Sequence, residues 1–142
     1  MDLIIRNGTV VDGTGAPAFS ASVGIEKGRI TAVGDLGEAV AAREIDATGQ
    51  VIAPGFIDIH THADVALLAR PTHEPKVMQG VTTEVFSNCG LGFAPVTEQG
   101  LAIQKEYLLG LFGDDAGVDW NWRTVREFLD HYRTGISANA AY

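Results

Sequence analysis

The sequence predicts an α/β protein in which a small β-sandwich-like domain of hairpins, residues 1–54, precedes parallel βα units in residues 55–142. Short runs of β-branched residues separated by glycine turns fill the first segment. After Pro54 and Gly55, longer alternating strand and helix patterns begin. This change of pattern marks the predicted boundary between two domains.

The first segment contains three pairs of short strands, and each pair flanks a turn. The pairs are Leu3–Arg6 with Thr9–Val11 around Asn7-Gly8, Ser22–Ile25 with Arg29–Val33 around Glu26–Gly28, and Glu44-Ile45 with Val51-Ile52 around Thr48–Gln50. Asp12–Gly15 is glycine-rich but lacks the lysine and helix that follow a phosphate-binding loop, so we interpret it as a turn. These hairpins carry no predicted chemistry.

The second segment is predicted to alternate strands and helices. Its predicted elements are a strand within residues 53–64, a strand over 81–89, a helix from Thr97-Glu98 to Gly110 or Gly113, a loop at Asp114–Gly117, a helix over Thr124–Arg133 and a strand over Ile136–Ala140. Thr124 and Glu127 have the spacing of a capping box, and Gly135 is placed to end the helix.

Two histidines, His60 and His62, are separated by one residue within the first of these strands. Because a β-strand repeats every two residues, both imidazoles are expected to project from one side of a buried strand, bracketed by Ile57 and Ile59. Solvated histidines on a surface strand are the alternative. Neutral imidazole is a common zinc ligand, so the pair predicts half of a metal site.

The only cysteine, Cys89, ends the second strand-forming run about 27 residues after His62. That distance is close to the roughly 30 residues of a βαβ unit. Neighbouring parallel strands lie about 4.8 Å apart, and their carboxyl ends share one edge of the sheet. A lone cysteine is more often an inert apolar residue, but the neighbouring histidines favour a metal site formed by His60, His62 and Cys89.

Other polar and aromatic residues are given smaller roles. Asp58 and Asp64 flank the histidines; each is placed where it could orient a ligand ring, and neither is expected to act as the catalytic base. His73 and His131 are expected on the surface. Trp120 and Trp122 are expected to be packing groups.

Composition excludes several classes of partner and compartment. The formal charge is −8, and the ten basic residues are scattered, so neither nucleic acid nor an anionic membrane is an expected partner. No apolar run reaches the roughly 18 residues that span a bilayer, and the start does not have the pattern of a signal peptide. A single cysteine fits a reducing compartment, so the expected location is cytoplasmic.

Two motifs resemble those of a known family. Pro54–His62 resembles the opening of the amidohydrolase superfamily, and Gly80–Val96 is similar to the second barrel strand of its N-acyl-D-amino-acid deacylase (D-aminoacylase) branch. That branch carries a cysteine where this chain has Cys89, whereas dihydropyrimidinases, hydantoinases and dihydroorotases use a carboxylated lysine or a glutamate. Trp120–Trp122 and Gly135–Asn139 also look like the stretch leading into strand three, so the resemblance covers nearly the whole chain.

The resemblance implies a zinc-dependent enzyme that hydrolyses a linear amide, an N-acyl-D-amino acid, to a carboxylate and a D-amino acid. It implies a (β/α)8 TIM barrel, of which residues 55–142 would supply the first two to three βα units. In this family the catalytic aspartate and two further metal histidines lie on later strands, beyond Tyr142, so no catalytic residue is assigned within the chain.

A complete barrel takes about 250 residues, many more than follow Pro54. We therefore expect this chain alone to be inactive, and to be poorly folded, oligomeric or dependent on a missing C-terminal remainder.

Two alternatives remain open at this point. One is a cyclic-amide hydrolase similar to dihydropyrimidinase or hydantoinase, for which a lysine rather than Cys89 would bridge the metals. The other is a non-catalytic β module, which predicts no bound metal. Zinc is the expected ion for mixed imidazole and thiolate ligands, with manganese, cobalt and nickel as alternatives.

Overall fold

The computed structural model describes residues 1–112 and 117–142, and the chain divides into two units, Met1–Pro54 and Gly55–Tyr142. Each unit contains its own sheet. The predicted loop at Asp114–Gly117 and the alternative helix end at Gly113 fall, apart from Gly117, outside the described residues.

The unit Met1–Pro54 forms a five-stranded sheet in the order β3-β2-β1-β4, with β5 also paired to β1. Its strands are β1 (Leu3–Val10), β2 (Phe19–Glu26), β3 (Arg29–Gly34), β4 (Arg43–Asp46) and β5 (Val51–Ile52). β2 is antiparallel to β1 and to β3, whereas β4 and β5 are parallel to β1. The predicted hairpin between β2 and β3 is confirmed, and Lys27 and Gly28 have the positive φ values, 50° and 71°, that suit a tight hairpin turn.

The predicted turn at Asn7-Gly8 is wrong, because β1 runs through both residues. The pairing with β2 shifts between Ile5 and Gly8, and Asn7 has a φ of 60°, so the strand has a bulge at Arg6 and Asn7. A Cβ on Gly8 would lie 2.3 Å from Ile52 Cδ1, so a larger residue there would force the Ile52 side chain to move. The third predicted hairpin is also wrong, since β4 and β5 each pair with β1.

The unit Gly55–Tyr142 is built around a parallel three-stranded sheet in the order β6-β7-β8. Its elements are β6 (Phe56–Asp58), α1 (Ala66–Ala69), α2 (Glu74–Val77), β7 (Val81–Val85), α3 (Glu98–Phe112), α4 (Val125–Asp130) and β8 (Asn139–Ala141). The parallel pairing of β6 and β7 confirms the predicted βαβ unit. Among the described helices, none combines the length and apolar character that crossing a bilayer demands.

Helix ends and core packing in this unit follow the sequence closely. Thr124 Oγ1 accepts the Glu127 backbone N–H, while the Glu127 carboxylate accepts the Thr124 N–H, so the capping box is confirmed. Gly135 follows the last helical turn with a φ of 100°. Trp122 is fully buried in the hydrophobic core, and its indole N–H donates to the Phe93 carbonyl at 2.9 Å, which confirms its packing role.

Both strands that lead to the predicted metal site end earlier than the sequence suggested. β6 ends at Asp58 and β7 at Val85, so His60, His62 and Cys89 lie in the loops that follow. The predicted burial of the first strand is also wrong, since Ile57 and Ile59 are 62% and 73% exposed.

Candidate metal centre

The three predicted donor residues lie together in the structure. His60 Nε2 is 3.1 Å from Cys89 Sγ, and one donor atom from each of His60, His62 and Cys89 lies within 4.8 Å of the others. The two imidazole rings are arranged edge to face, with centroids 5.6 Å apart. His60 and Cys89 are exposed and His62 is half-buried, so this donor cluster can be reached from solvent.

The loop that carries the two histidines is held by its own polar groups. Asp58 Oδ1 accepts the His60 backbone N–H at 3.1 Å, a local side-chain bond that ends the strand in a turn. The Asp58 carboxylate thus engages the His60 backbone and the Lys76 ammonium, and its orientation of a ligand ring stays a prediction. Thr61, between the histidines, donates its N–H to the Val85 carbonyl at 3.3 Å, which ties the loop to the end of β7.

The loop that carries Cys89 has a left-handed backbone on both sides of Asn88. Ser87 and Cys89 have φ values of 61° and 60°, which non-glycine residues adopt at a cost of about 1–3 kcal/mol each. The Asn88 amide donates to the Val85 carbonyl at 2.8 Å and to the Thr61 carbonyl at 3.3 Å. These bonds hold a backbone conformation that exposes the Cys89 thiol beside His60.

The donor set fits a zinc ion in both chemistry and spacing. Two imidazoles and one thiolate are ligands that zinc accepts, at about 2.0–2.1 Å for nitrogen and 2.3 Å for sulfur. A nitrogen and a sulfur bound to one zinc are therefore at most about 4.4 Å apart. The separations in the structure, 4.8 Å or less, are close enough for small side-chain rotations to bring all three atoms onto one ion.

The two aspartates near the histidines differ in environment. The Lys76 ammonium, together with the His60 backbone N–H, holds the pKa of Asp58 below its usual range. Burial raises the pKa of Asp64 to about 6, against the opposing effect of backbone N–H donors such as that of Ser87. Asp64 is fully buried, so its carboxylate is part of the loop packing rather than of the accessible surface.

A second group of ionisable residues connects β6 and β7 to α2 around the buried Glu84, and we call it the buried ion cluster: Asp58, His73, Lys76 and Glu84. Asp58 and Glu84 are register partners on adjacent strands. Glu84 is fully buried, with His73 Nε2 2.7 Å from one carboxylate oxygen and Lys76 Nζ 3.8 Å from the other. Lys76 also pairs with Asp58.

The expectation that His73 lies on the surface is wrong, because its side chain is buried against Glu84. Sequence reasoning missed Glu84 altogether. Its signal was available, since a charged residue in the middle of the β-branched run 81–86 of a predicted buried strand requires a partner of opposite charge.

The chain is similar in sequence to one protein family and to proteins of known activity. Residues 43–142 match the model described as the amidohydrolase family. D-aminoacylase of Alcaligenes xylosoxydans xylosoxydans is 40% identical over 141 residues, which cover 99% of this chain and 28% of that protein.

Two solved structures extend the similarity to the fold. A structure of D-aminoacylase, a protein with a binuclear metal centre, superposes with a TM-score of 0.79 at 39% identity. N-acyl-D-glutamate deacylase from Bordetella bronchiseptica, solved with zinc and a phosphonate inhibitor, superposes with a TM-score of 0.77 at 36% identity. Each match covers 98% of this chain and 28% of the solved chain, so the 142 residues span little more than a quarter of these relatives.

Proposed function

This chain belongs to the amidohydrolase family, and we propose from that premise that it forms part of a zinc-dependent enzyme that hydrolyses N-acyl-D-amino acids. The products would be a carboxylate and a free D-amino acid. The carrying observation is the convergence of His60, His62 and Cys89 donor atoms within 4.8 Å, in a chain similar to D-aminoacylase along almost its whole length.

The proposed architecture is the beginning of a (β/α)8 barrel. The three parallel strands with intervening helices, β6 to β8, would be its first strands, and the donor cluster follows the carboxyl ends of two of them, where barrel enzymes place their chemistry. Met1–Pro54 would be part of a small β-sandwich-like domain and Gly55–Tyr142 part of the catalytic barrel.

In this proposal His60, His62 and Cys89 hold zinc. When bound, zinc polarises an amide carbonyl and activates water toward it. The exposure of His60 and Cys89 leaves one side of the site open for a small substrate such as an N-acyl amino acid. Cys89 must remain reduced to act as a ligand, which supports a cytoplasmic location.

The carboxylates described here are poorly placed to move a proton to the substrate. Asp58 is paired with Lys76, whereas Asp64 and Glu84 are fully buried. We therefore assign the proton-transferring carboxylate to a part of the enzyme outside residues 1–142.

The test is hydrolysis by the protein that carries this chain. We expect zinc-dependent release of the amino acid from an N-acetyl-D-amino acid and little from its L-enantiomer. A Cys89→Ser variant should lose this activity, and a His131→Ala variant, altered at a histidine remote from the donor cluster in sequence, is the matched control. Full activity in Cys89→Ser, or activity unaffected by complete zinc removal, would contradict the proposal.

A further inference from the structure

The two loops that carry the donor residues are cross-linked by residues adjacent to the donors. Asn88 precedes Cys89, and its amide donates at 3.3 Å to the carbonyl of Thr61, the residue between His60 and His62. Asp64, two residues after His62, accepts at 3.2 Å the N–H of Ser87, two residues before Cys89. In both bonds the donor belongs to the Cys89 loop and the acceptor to the histidine loop.

The end of β7 serves as a common anchor for both loops. The Val85 carbonyl accepts the Asn88 amide at 2.8 Å and the Thr61 backbone N–H at 3.3 Å. One carbonyl thus fixes the residue between the histidines and the residue before the cysteine. Thr61 is buried and Asn88 is half-buried, so these bonds are partly shielded from water.

Neither loop has regular structure to hold the donors in place. His60 and His62 follow a strand of three residues, and Cys89 lies in a short 3₁₀ turn with a left-handed backbone of its own. The distance between Cys89 Sγ and His60 Nε2 therefore depends on bonds between the loops. Asn88 makes the only side-chain bond we find, among the described residues, from the Cys89 loop to the backbone between the histidines.

We infer that Asn88 is a positioning residue that fixes the His60–His62 loop and the Cys89 loop at the separation that metal binding needs. The buried Asp64 carboxylate assists by accepting the Ser87 N–H. This inference rests on the proposed zinc site. Asn88 does not touch the ion itself, and it acts through the position of Cys89 relative to the two imidazoles. Residues that support metal ligands in this way typically contribute about 10–100-fold to metal affinity.

The test is the zinc affinity of the metal-free chain, measured by competition with a chromophoric chelator. We expect Asn88→Ala to weaken zinc binding about 10–100-fold and to weaken the cobalt–thiolate charge-transfer band of the cobalt-loaded chain. The matched control is Asn139→Ala, which removes an amide that also donates to a β7 carbonyl, that of Thr82 at 2.9 Å, away from the donor loops. That control should bind zinc like the unaltered chain.

A double-mutant cycle separates positioning from general stability. In a Cys89→Ser background the second loop no longer supplies a ligand, so Asn88→Ala should have little further effect on zinc affinity. Equal losses in both backgrounds would overturn the inference. Unchanged zinc affinity in Asn88→Ala would overturn it while leaving the proposed zinc site intact, whereas no zinc binding by the unaltered chain would overturn both.

Asn88→Asp decides the question if Asn88→Ala does not fold. The aspartate has the same shape but cannot donate to the two carbonyls when ionised, and its negative charge alone would favour a nearby cation. A lower zinc affinity in Asn88→Asp would therefore support positioning, and an equal or higher affinity would contradict it.

Discussion

The donor cluster and the buried ion cluster both include histidines that lie near β6 and β7, yet the two clusters have different surroundings. The donor cluster of His60, His62 and Cys89 follows the strand ends and is reached by solvent. The buried ion cluster includes Glu84, fully enclosed on β7 against His73 and Lys76. The comparison shows that a histidine's role here is set by its neighbours and its access to water.

Because of this difference, we expect the buried ion cluster to contribute to folding stability and the donor cluster to contribute to metal binding. Removing one member of a buried charge pair leaves its partner without compensation in a medium of low dielectric constant. Removing an exposed donor leaves groups that water can solvate. We therefore expect substitutions in the buried ion cluster to lower the free energy of unfolding, and substitutions in the donor cluster to lower metal affinity.

The largest effect is expected from Glu84→Ala. It removes the buried carboxylate that His73 contacts and leaves Lys76 paired with Asp58 alone, and the free energy of unfolding should fall by about 3–5 kcal/mol. Urea denaturation followed by circular dichroism measures the change. Glu106→Ala, at an exposed position on α3, is the matched control and should change stability by no more than about 0.5 kcal/mol. A Glu84→Ala variant as stable as that control would contradict the comparison.

Cys89→Ser should show the opposite behaviour. Because the Cys89 side chain is exposed, the free energy of unfolding of the metal-free variant should lie within about 0.5 kcal/mol of that of the unaltered chain. Its zinc affinity should fall by more than the roughly 100-fold upper range for a supporting residue, as measured by chelator competition. A variant that loses stability but keeps its zinc affinity would reverse the assigned roles.

These two clusters also show how far the sequence alone could predict the structure. His60, His62 and Cys89 were predicted to lie together because the βαβ spacing brings successive strand ends to one edge of a sheet. The sequence did not predict where the strands end, because side chains of Asp58 and Asn88 bind nearby backbone groups and turn the chain out of the strand. The burial of His73 depends on its long-range pairing with Glu84, which no local pattern encodes.

The smallest effect is expected at Glu127, an exposed carboxylate that caps α4 and so stabilises the fold without being buried. Backbone N–H groups of Arg123 and Thr124 lower the pKa of Glu127 from its ordinary value of 4.5. Since the pKa is lower in the folded state, Glu127 stabilises the chain above pH 4.5, and this contribution is lost as the pH falls below that value. Glu127→Gln should therefore flatten the acid side of the stability profile.

Thermal unfolding from pH 7 to pH 3 tests this prediction, with Glu106→Gln as the exposed helical control. If the unfolding temperature falls with pH equally steeply in Glu127→Gln and in the unaltered chain, Glu127 does not stabilise the fold through its carboxylate.

Zinc K-edge X-ray absorption of the zinc-loaded chain tests the central claim most directly, since it measures the atoms bound to the ion. The proposed site predicts one sulfur at about 2.3 Å and two imidazole nitrogens at about 2.0–2.1 Å, with the sulfur lost in Cys89→Ser. A coordination shell of nitrogen and oxygen alone in the unaltered chain would contradict a zinc site formed by His60, His62 and Cys89.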